Sequence, residues 1–575
     1  MIVENLMMSG RVAQVIAVLT GIYLTKAILR ERTDFNVDLQ TVDSTHSCLS
    51  TSRFMTGIKN RGSWFVDNEI LFIVFLVVQL TRFIKETVFV PPMPDTLQDL
   101  RNRMLMRTLT ALSDGMQYGW TSPIGEILLS SKSPFDAKES DLMWLENIYM
   151  IGGLAGLPIT VYLLDKVGRK NTMMISAVES LVAWILIAST SSMGVLYGAR
   201  FLTGLAADVN FVATPVYIAE ISDKNIRGRL GSIVYMMMMV GIVLIYIVGP
   251  FVSITISSLI GACVLVVQLL TFSFMPESPY YLLMRNQKEK ARKSLTIFRS
   301  SLDVDEELEE IARSVEEENA QRGSLIDLFK VKSSLKAFII MAVLNTAQHF
   351  SGISVMFMNM HLILNSAELT ISINTVAIIF VTLMLIACII SGSVIDMIGR
   401  KVLLYTSSFL TAVSLLILAS YFDLKDRGVD TYQYNWIPIF AVMLYAVTYK
   451  YGLGLVPIVL TAELFPTNIK AVGVTVCDAV YVIAGALSII VFHVMQKSFG
   501  MEAPFFLFGA CCILTCLFSI FVVPETKGKT LDEIQSLLKG EVLSGDDEEI
   551  MCLNDNDDSS RNNHSYGTND YCKNI

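Results

Sequence analysis

Long apolar runs constrain this chain more than any other feature. Stretches of about 18–23 residues, rich in Leu, Ile, Val, Ala, Met and Phe, recur from residue 142 to residue 523. That is the length a helix needs to cross roughly 30 Å of hydrocarbon. Within hydrocarbon the backbone must satisfy its own hydrogen bonds, so each run has to be helical. A large soluble protein would show amphipathic helices instead. The composition agrees: of 575 residues, 53% are hydrophobic and 17% charged, with a mean hydropathy of +0.54. Spans 2 to 12 are expected at 142–164, 172–190, 195–221, 230–252, 254–275, 337–364, 371–394, 402–422, 436–464, 472–495 and 504–523.

Residues 1–103 fit this plan poorly. The apolar runs at 12–24 and 70–80 are too short to cross on their own. The first span, 104–129, carries Arg107 and Asp114. Joining 9–21 to 111–123 would give a span of ordinary length. Residues 22–110 therefore read as an insertion that splits span 1, with an additional N-terminal membrane anchor as the other reading.

The chain repeats itself. At the end of span 4 stands PVYIAEISDKNIRG, with Glu220 and Arg227; at the end of span 10 stands TAELFPTNIKAVG, with Glu463 and Lys470 at the same spacing. Upstream of each is a second repeated phrase, DKVGRK with Asp165 and Arg169, and DMIGRK with Asp396 and Arg400. Two parallel halves in a membrane chain point to a transporter with a site between them. The expected division is an atypical segment 1–103, a bundle 104–282, a helical linker 283–336, a second bundle 337–523 and an acidic tail 524–575.

Charge excludes other classes. The net charge of −9 sits largely in 303–318 and 541–558, and no basic cluster suggests nucleic acid. Lys and Arg gather after spans 2, 6 and 8, which places both termini on the cytoplasmic side. Cys263, Cys388, Cys477, Cys511, Cys512 and Cys516 lie inside apolar runs and read as small core residues. No metal-ligand spacing, nucleophile–base pair or phosphate loop is visible, so no metal, cofactor or enzyme activity is expected.

The ordered phrases resemble the sugar porter family of the major facilitator superfamily. They are GRK after spans 2 and 8, Arg200-Phe201 with Gly204 in span 4, PVYIAEI, PESP at 276–279, QHFSGIS at 348–354, AELFP and PETKG. GWTSP at 119–123 is similar to the insect trehalose and hexose transporter branch, and the resemblance covers 111–531. It implies an all-α membrane protein of twelve transmembrane helices in two pseudo-symmetric six-helix bundles. It also implies facilitative transport of a hexose or trehalose by alternating access, with the lipid bilayer and a small sugar as partners. The carrier would be a monomer in the plasma membrane.

The resemblance makes Asp165, Arg169, Glu220 and Arg227, with Asp396, Arg400, Glu463 and Lys470, a charge network at the inner face. Glu277 and Glu525 are its expected partners across the bundles. The other reading is that these charges only set loop topology.

The family's substrate amides are largely missing. Its Gln-Gln and Asn of span 7 fall at Gln348, His349 and Ser354; its span 10 Trp falls at Ile458, with Leu455 at a proline position. Its Asn-Trp of span 11 falls at Tyr481 and Val482, its span 5 Gln at Tyr235, and its span 8 amide near Met384. Substrate contact is therefore expected from Gln348, His349, Ser354, Gln117, Trp120, Tyr235 and Tyr481, with an altered substrate. Gln117 stands where proton-coupled members have Asp, which favours facilitated diffusion. Asp114, Asp208, Lys450 and Asp478 are charges inside spans and so candidates for function; Lys450 and Asp478 are an expected pair, or each snorkels to water. A non-transporting sensor on this scaffold and a proton-coupled carrier of another polar solute are the alternatives.

Overall fold

The computed structural model describes residues 109–539, apart from 132, 223–226, 300–302, 321–324, 368–370, 430–431, 467–468 and 530. The proposed insertion at 22–110 lies almost wholly outside the described residues, as does most of the tail. Every regular element described is helical. Eleven described segments are long and apolar enough to cross a membrane. The twelfth crossing is span 1, which is made of α1 (Leu109–Tyr118) and α2 (Thr121–Leu129). Their 10 and 9 residues together rise about 28 Å.

The rest of the first half is α3 (Glu139–Lys166), α4 (Arg169–Ser189), α5 (Met193–Ile221), α6 (Arg227–Val248) and α7 (Ile254–Phe272). α5 packs on α3 and α4, α6 on α1, and α7 on α4. Between the two halves come four short helices: α8 (Pro279–Met284), α9 (Lys288–Arg299), α10 (Asp305–Ala320) and α11 (Leu325–Lys330). Leu282, Leu295, Leu308 and Val315 give this segment a small core of its own. Arg299 anchors it, donating to Glu307 and to the Ile221 carbonyl at the end of α5.

The second half departs from the expected plan at two spans. Span 7 is not one helix but α12 (Lys332–His349), α13 (Ile353–Met358) and α14 (Met360–Ser366). Gly352 turns the chain at φ +86°, a conformation that side-chain-bearing residues avoid. Span 10 is likewise two pieces, α17 (Trp436–Tyr451) and α18 (Val456–Leu464). Between them Gly452 lies so close to the preceding helix that a Cβ there would meet the Leu403 carbonyl oxygen at 2.2 Å. The remaining spans are continuous: α15 (Ile373–Ile398), α16 (Arg400–Asp426), α19 (Lys470–Phe499) and α20 (Glu502–Phe521); α21 (Leu531–Lys539) follows.

The two halves meet where α3 faces α19 and where α6 faces α15. The GRK phrases and the linker occupy one end of the bundles, called the basic end below. α2 and α14 lie at the far end.

Candidate functional site

Broken helices expose backbone groups that hydrocarbon cannot satisfy, so side chains must. At the span 10 break the Leu453 amide donates to Ser407 Oγ (2.8 Å), and the Leu453 carbonyl accepts from Gln348 Nε2 (2.9 Å). Gln348, the clearest amide expected for substrate, thus holds the break together with its NH2 group.

The break in span 7 brings the other expected residues into one cluster between the halves. His349 Nδ1 shares a 2.8 Å hydrogen bond with Ser354 Oγ, which also meets the Tyr118 hydroxyl at 3.0 Å. The His349 ring sits 4.1 Å from that of Tyr481 on α19. Its Nε2 is buried, with no partner among the described residues. Tyr118 and Lys450 reach the same Phe357 ring, at 5.7 Å and 5.8 Å from its centroid. Tyr235 on α6 accepts a short hydrogen bond from Lys450 Nζ on α17. The cluster can therefore present a hydroxyl row (Tyr118, Ser354), an imidazole nitrogen, aromatic faces and an ammonium.

Gln117 and Trp120 lie elsewhere, in the first half. The Gln117 carbonyl accepts from Arg200 Nη1 (2.9 Å), while both atoms of its side-chain amide are buried, with no partner among the described residues. Trp120 is covered by the Arg200 guanidinium, 5.6 Å from its ring. Asp114 lies 3.5 Å from Asn210 Nδ2, and Asp208 accepts from Thr160 at 3.3 Å. The expected Lys450–Asp478 pair does not form. Lys450 does not snorkel either, being only 2% exposed. Met237 and Met239 are core filler behind α1.

At the basic end the halves repeat each other. Arg169 grips Glu220 through Nε and Nη2 (2.7–3.0 Å), and Ser278 donates to the same carboxylate. In the second half Arg400 donates to Glu463 (2.9 Å), and Thr526 does so at 2.5 Å. Glu277 accepts from the Lys170 amide (2.9 Å); Glu525 accepts from the amides of Arg400 and Lys401, both at 3.0 Å. Glu277 and Glu525 thus bind the N-termini of α4 and α16 in their own halves, where a carboxylate meets the positive end of a helix. The bonds described for them lie within their own halves. Asp165 is exposed and joins through its backbone carbonyl, which accepts from Arg285. Lys470 begins α19, and the side chains of Arg227 and Asp396 lie outside the described residues.

Bonds between the halves cluster at mid-depth and the far end. Asn359 Nδ2 donates to Glu146 Oε2 (3.0 Å), and His493 Nε2 lies 3.6 Å from the same oxygen. Ser122 bonds His361 (2.8 Å), Asn365 reaches Glu126 (3.3 Å), and Tyr246 donates to the Phe357 carbonyl (2.7 Å). Glu146, Asn359 and Tyr118 were missed by sequence reasoning. Glu146, a charge four residues into an apolar run, carried the signal that could have found it.

Residues 111–538 match the family described as Sugar (and other) transporter. A facilitated trehalose transporter of Aedes aegypti is 30% identical over 442 residues, covering 76% of this chain and 54% of the relative. A facilitated trehalose transporter homologue of Drosophila sechellia is 30% identical, with 76% and 90% covered. The chain spans about half the length of the first curated relatives it matches. Among solved structures, the inward-open xylose transporter XylE from E. coli superposes with a TM-score of 0.62 at 22% identity, covering 76% of this chain and 99% of that one. XylE bound to 6-bromo-6-deoxy-D-glucose gives 0.60 at 22%, with the same coverage. With the Sugar (and other) transporter match running almost the whole described length, and two repeated halves around a polar cluster, this chain belongs to the sugar transporter family and has the major facilitator fold.

Proposed function

We propose that this protein carries a small polyhydroxylated solute across the plasma membrane by alternating access, as a facilitative carrier. The observation that supports it most is the buried cluster of Tyr118, His349, Ser354 and Tyr481 between the two halves. A polar cluster at mid-depth is costly unless used. Its hydroxyls and imidazole suit a sugar's hydroxyls, and Tyr481 suits a sugar face. The relatives named as trehalose transporters support the same solute class.

The basic end faces the cytoplasm by the positive-inside rule, with both termini on that side and the protein acting as a monomer. The bonds across the far end then hold the outer entrance closed. The Arg169–Glu220 and Arg400–Glu463 networks keep each half rigid at the inner entrance while it moves. The division into bundles at 104–282 and 337–523, joined by the linker at 283–336, is the corresponding mechanical plan.

Radiolabelled uptake of glucose, trehalose and their charged analogues into oocytes expressing the full chain, at two external pH values, tests this reading. Saturable uptake of one of them, independent of pH, is expected. No saturable uptake of any, at verified surface density, overturns it.

A further inference from the structure

Lys450 is the one feature of the central cluster that a neutral sugar leaves unexplained. It is 2% exposed and stands in the last turn of α17, beside the break in span 10. Its Nζ makes a short hydrogen bond to the Tyr235 hydroxyl and lies 4.6, 5.5 and 5.8 Å from the ring centroids of Tyr235, Tyr449 and Phe357. Among the described residues no carboxylate forms an ion pair with it. Aromatic faces offset part of the desolvation of an ammonium. The penalty for burying a charge without a counter-ion exceeds what those contacts return. A protein keeps such a charge at low dielectric when something that visits the site supplies its counter-ion.

The neighbourhood points the same way. The NH2 group of Gln348 is committed to the Leu453 carbonyl. The polar groups of the cluster that are not committed to backbone are Tyr118, Ser354, the His349 imidazole and the Lys450 ammonium, and Tyr118 and Lys450 share the Phe357 ring as a common wall. This is a set with one fixed positive charge and several hydroxyl partners.

We infer that the solute carried here is a singly charged sugar acid, a hexuronate or an aldonate, and that Lys450 is the residue that selects it by pairing with the carboxylate. One ammonium pairs with one carboxylate, so the Lys450 charge has its counter-ion only when the site is loaded. The inference rests on the carrier reading above and narrows its solute.

The test is uptake of labelled glucuronate and glucose at equal concentration, with the full-length chain and surface density measured by biotinylation. Saturable glucuronate uptake is expected, exceeding that of glucose by about tenfold and inhibited by gluconate. Lys450→Met should lose at least about tenfold of it, and Lys450→Arg should retain most of it. The wild-type preference needs no variant to fold, and the Arg variant separates charge from packing. Saturable glucose or trehalose uptake that glucuronate does not inhibit overturns the selection by charge and leaves the carrier standing. Absence of saturable uptake for acid and neutral sugars alike overturns both.

Discussion

Ser354 is the residue on which the central cluster turns, because one hydroxyl serves both His349 and Tyr118 from opposite halves. Replacing it with alanine leaves two buried polar groups unpaired, and each such loss costs about 1–3 kcal/mol. Ser354→Ala should therefore weaken apparent substrate affinity by about tenfold or more, and Tyr118→Phe by about two- to fivefold. Concentration-dependent uptake reads both, and wild-type values for the pair would remove the cluster from the transport path. Residues of this kind were half legible. His349, Ser354 and Tyr481 could be placed by the order of family phrases. Gln348 could be placed too, but not its bond to the Leu453 carbonyl, since that partner lies 105 residues away in sequence. Tyr118 and Asn359 carried no local signal, for a tyrosine or asparagine in a span looks the same whether it bonds its own helix or the opposite half.

Elements matter here through where they stop. Spans 7 and 10 break, and the site is built at the breaks, as irregular backbone inside a membrane survives only where protein or a cavity satisfies it. Gly452→Val would drive a side chain into the Leu403 carbonyl, which a Cβ already meets at 2.2 Å. It should abolish folded protein at the surface, and size-exclusion profiles in detergent would report it; a monodisperse, wild-type-like peak would show that the helix can move aside. Gly399 is a gentler case, at φ +103° with Glu525 Oε2 2.8 Å from its missing Cβ. Gly399→Ala should cost about 1–3 kcal/mol from the positive-φ backbone alone, with more from displaced Glu525. Thermal unfolding in detergent reads it, and an unchanged midpoint would mean that the Glu525 contact with α16 is dispensable. Helix positions were legible to within a few residues because apolar length sets them. The breaks were not, since a glycine in an apolar run is tolerated within many membrane helices.

At the scale of the whole molecule the question is which entrance is held shut. Asn359 and Glu146 join the halves at the far end, and a hydrogen bond to a carboxylate is worth about 1.5–3 kcal/mol. Loss of that amount moves a two-state balance by roughly ten- to a hundredfold. Asn359→Ala should therefore speed amide exchange in α2 and α14, measured by hydrogen–deuterium exchange on purified protein, with α16 unaffected. Equal exchange in α2 and α14 would mean that the bond does not hold that entrance. The sequence by itself determined that this chain is a set of membrane helices, that it is two copies of one plan, and which family the plan belongs to. Those conclusions rest on period, length and order, which are properties of a chain read in one dimension. Only the tertiary structure decided that Glu277 and Glu525 serve their own halves and that Lys450 stands without Asp478. It alone decided that Glu146 meets Asn359. Each is a choice of partner across more than a hundred residues or between helices, and partners are set by how helices pack and not by spacing along them.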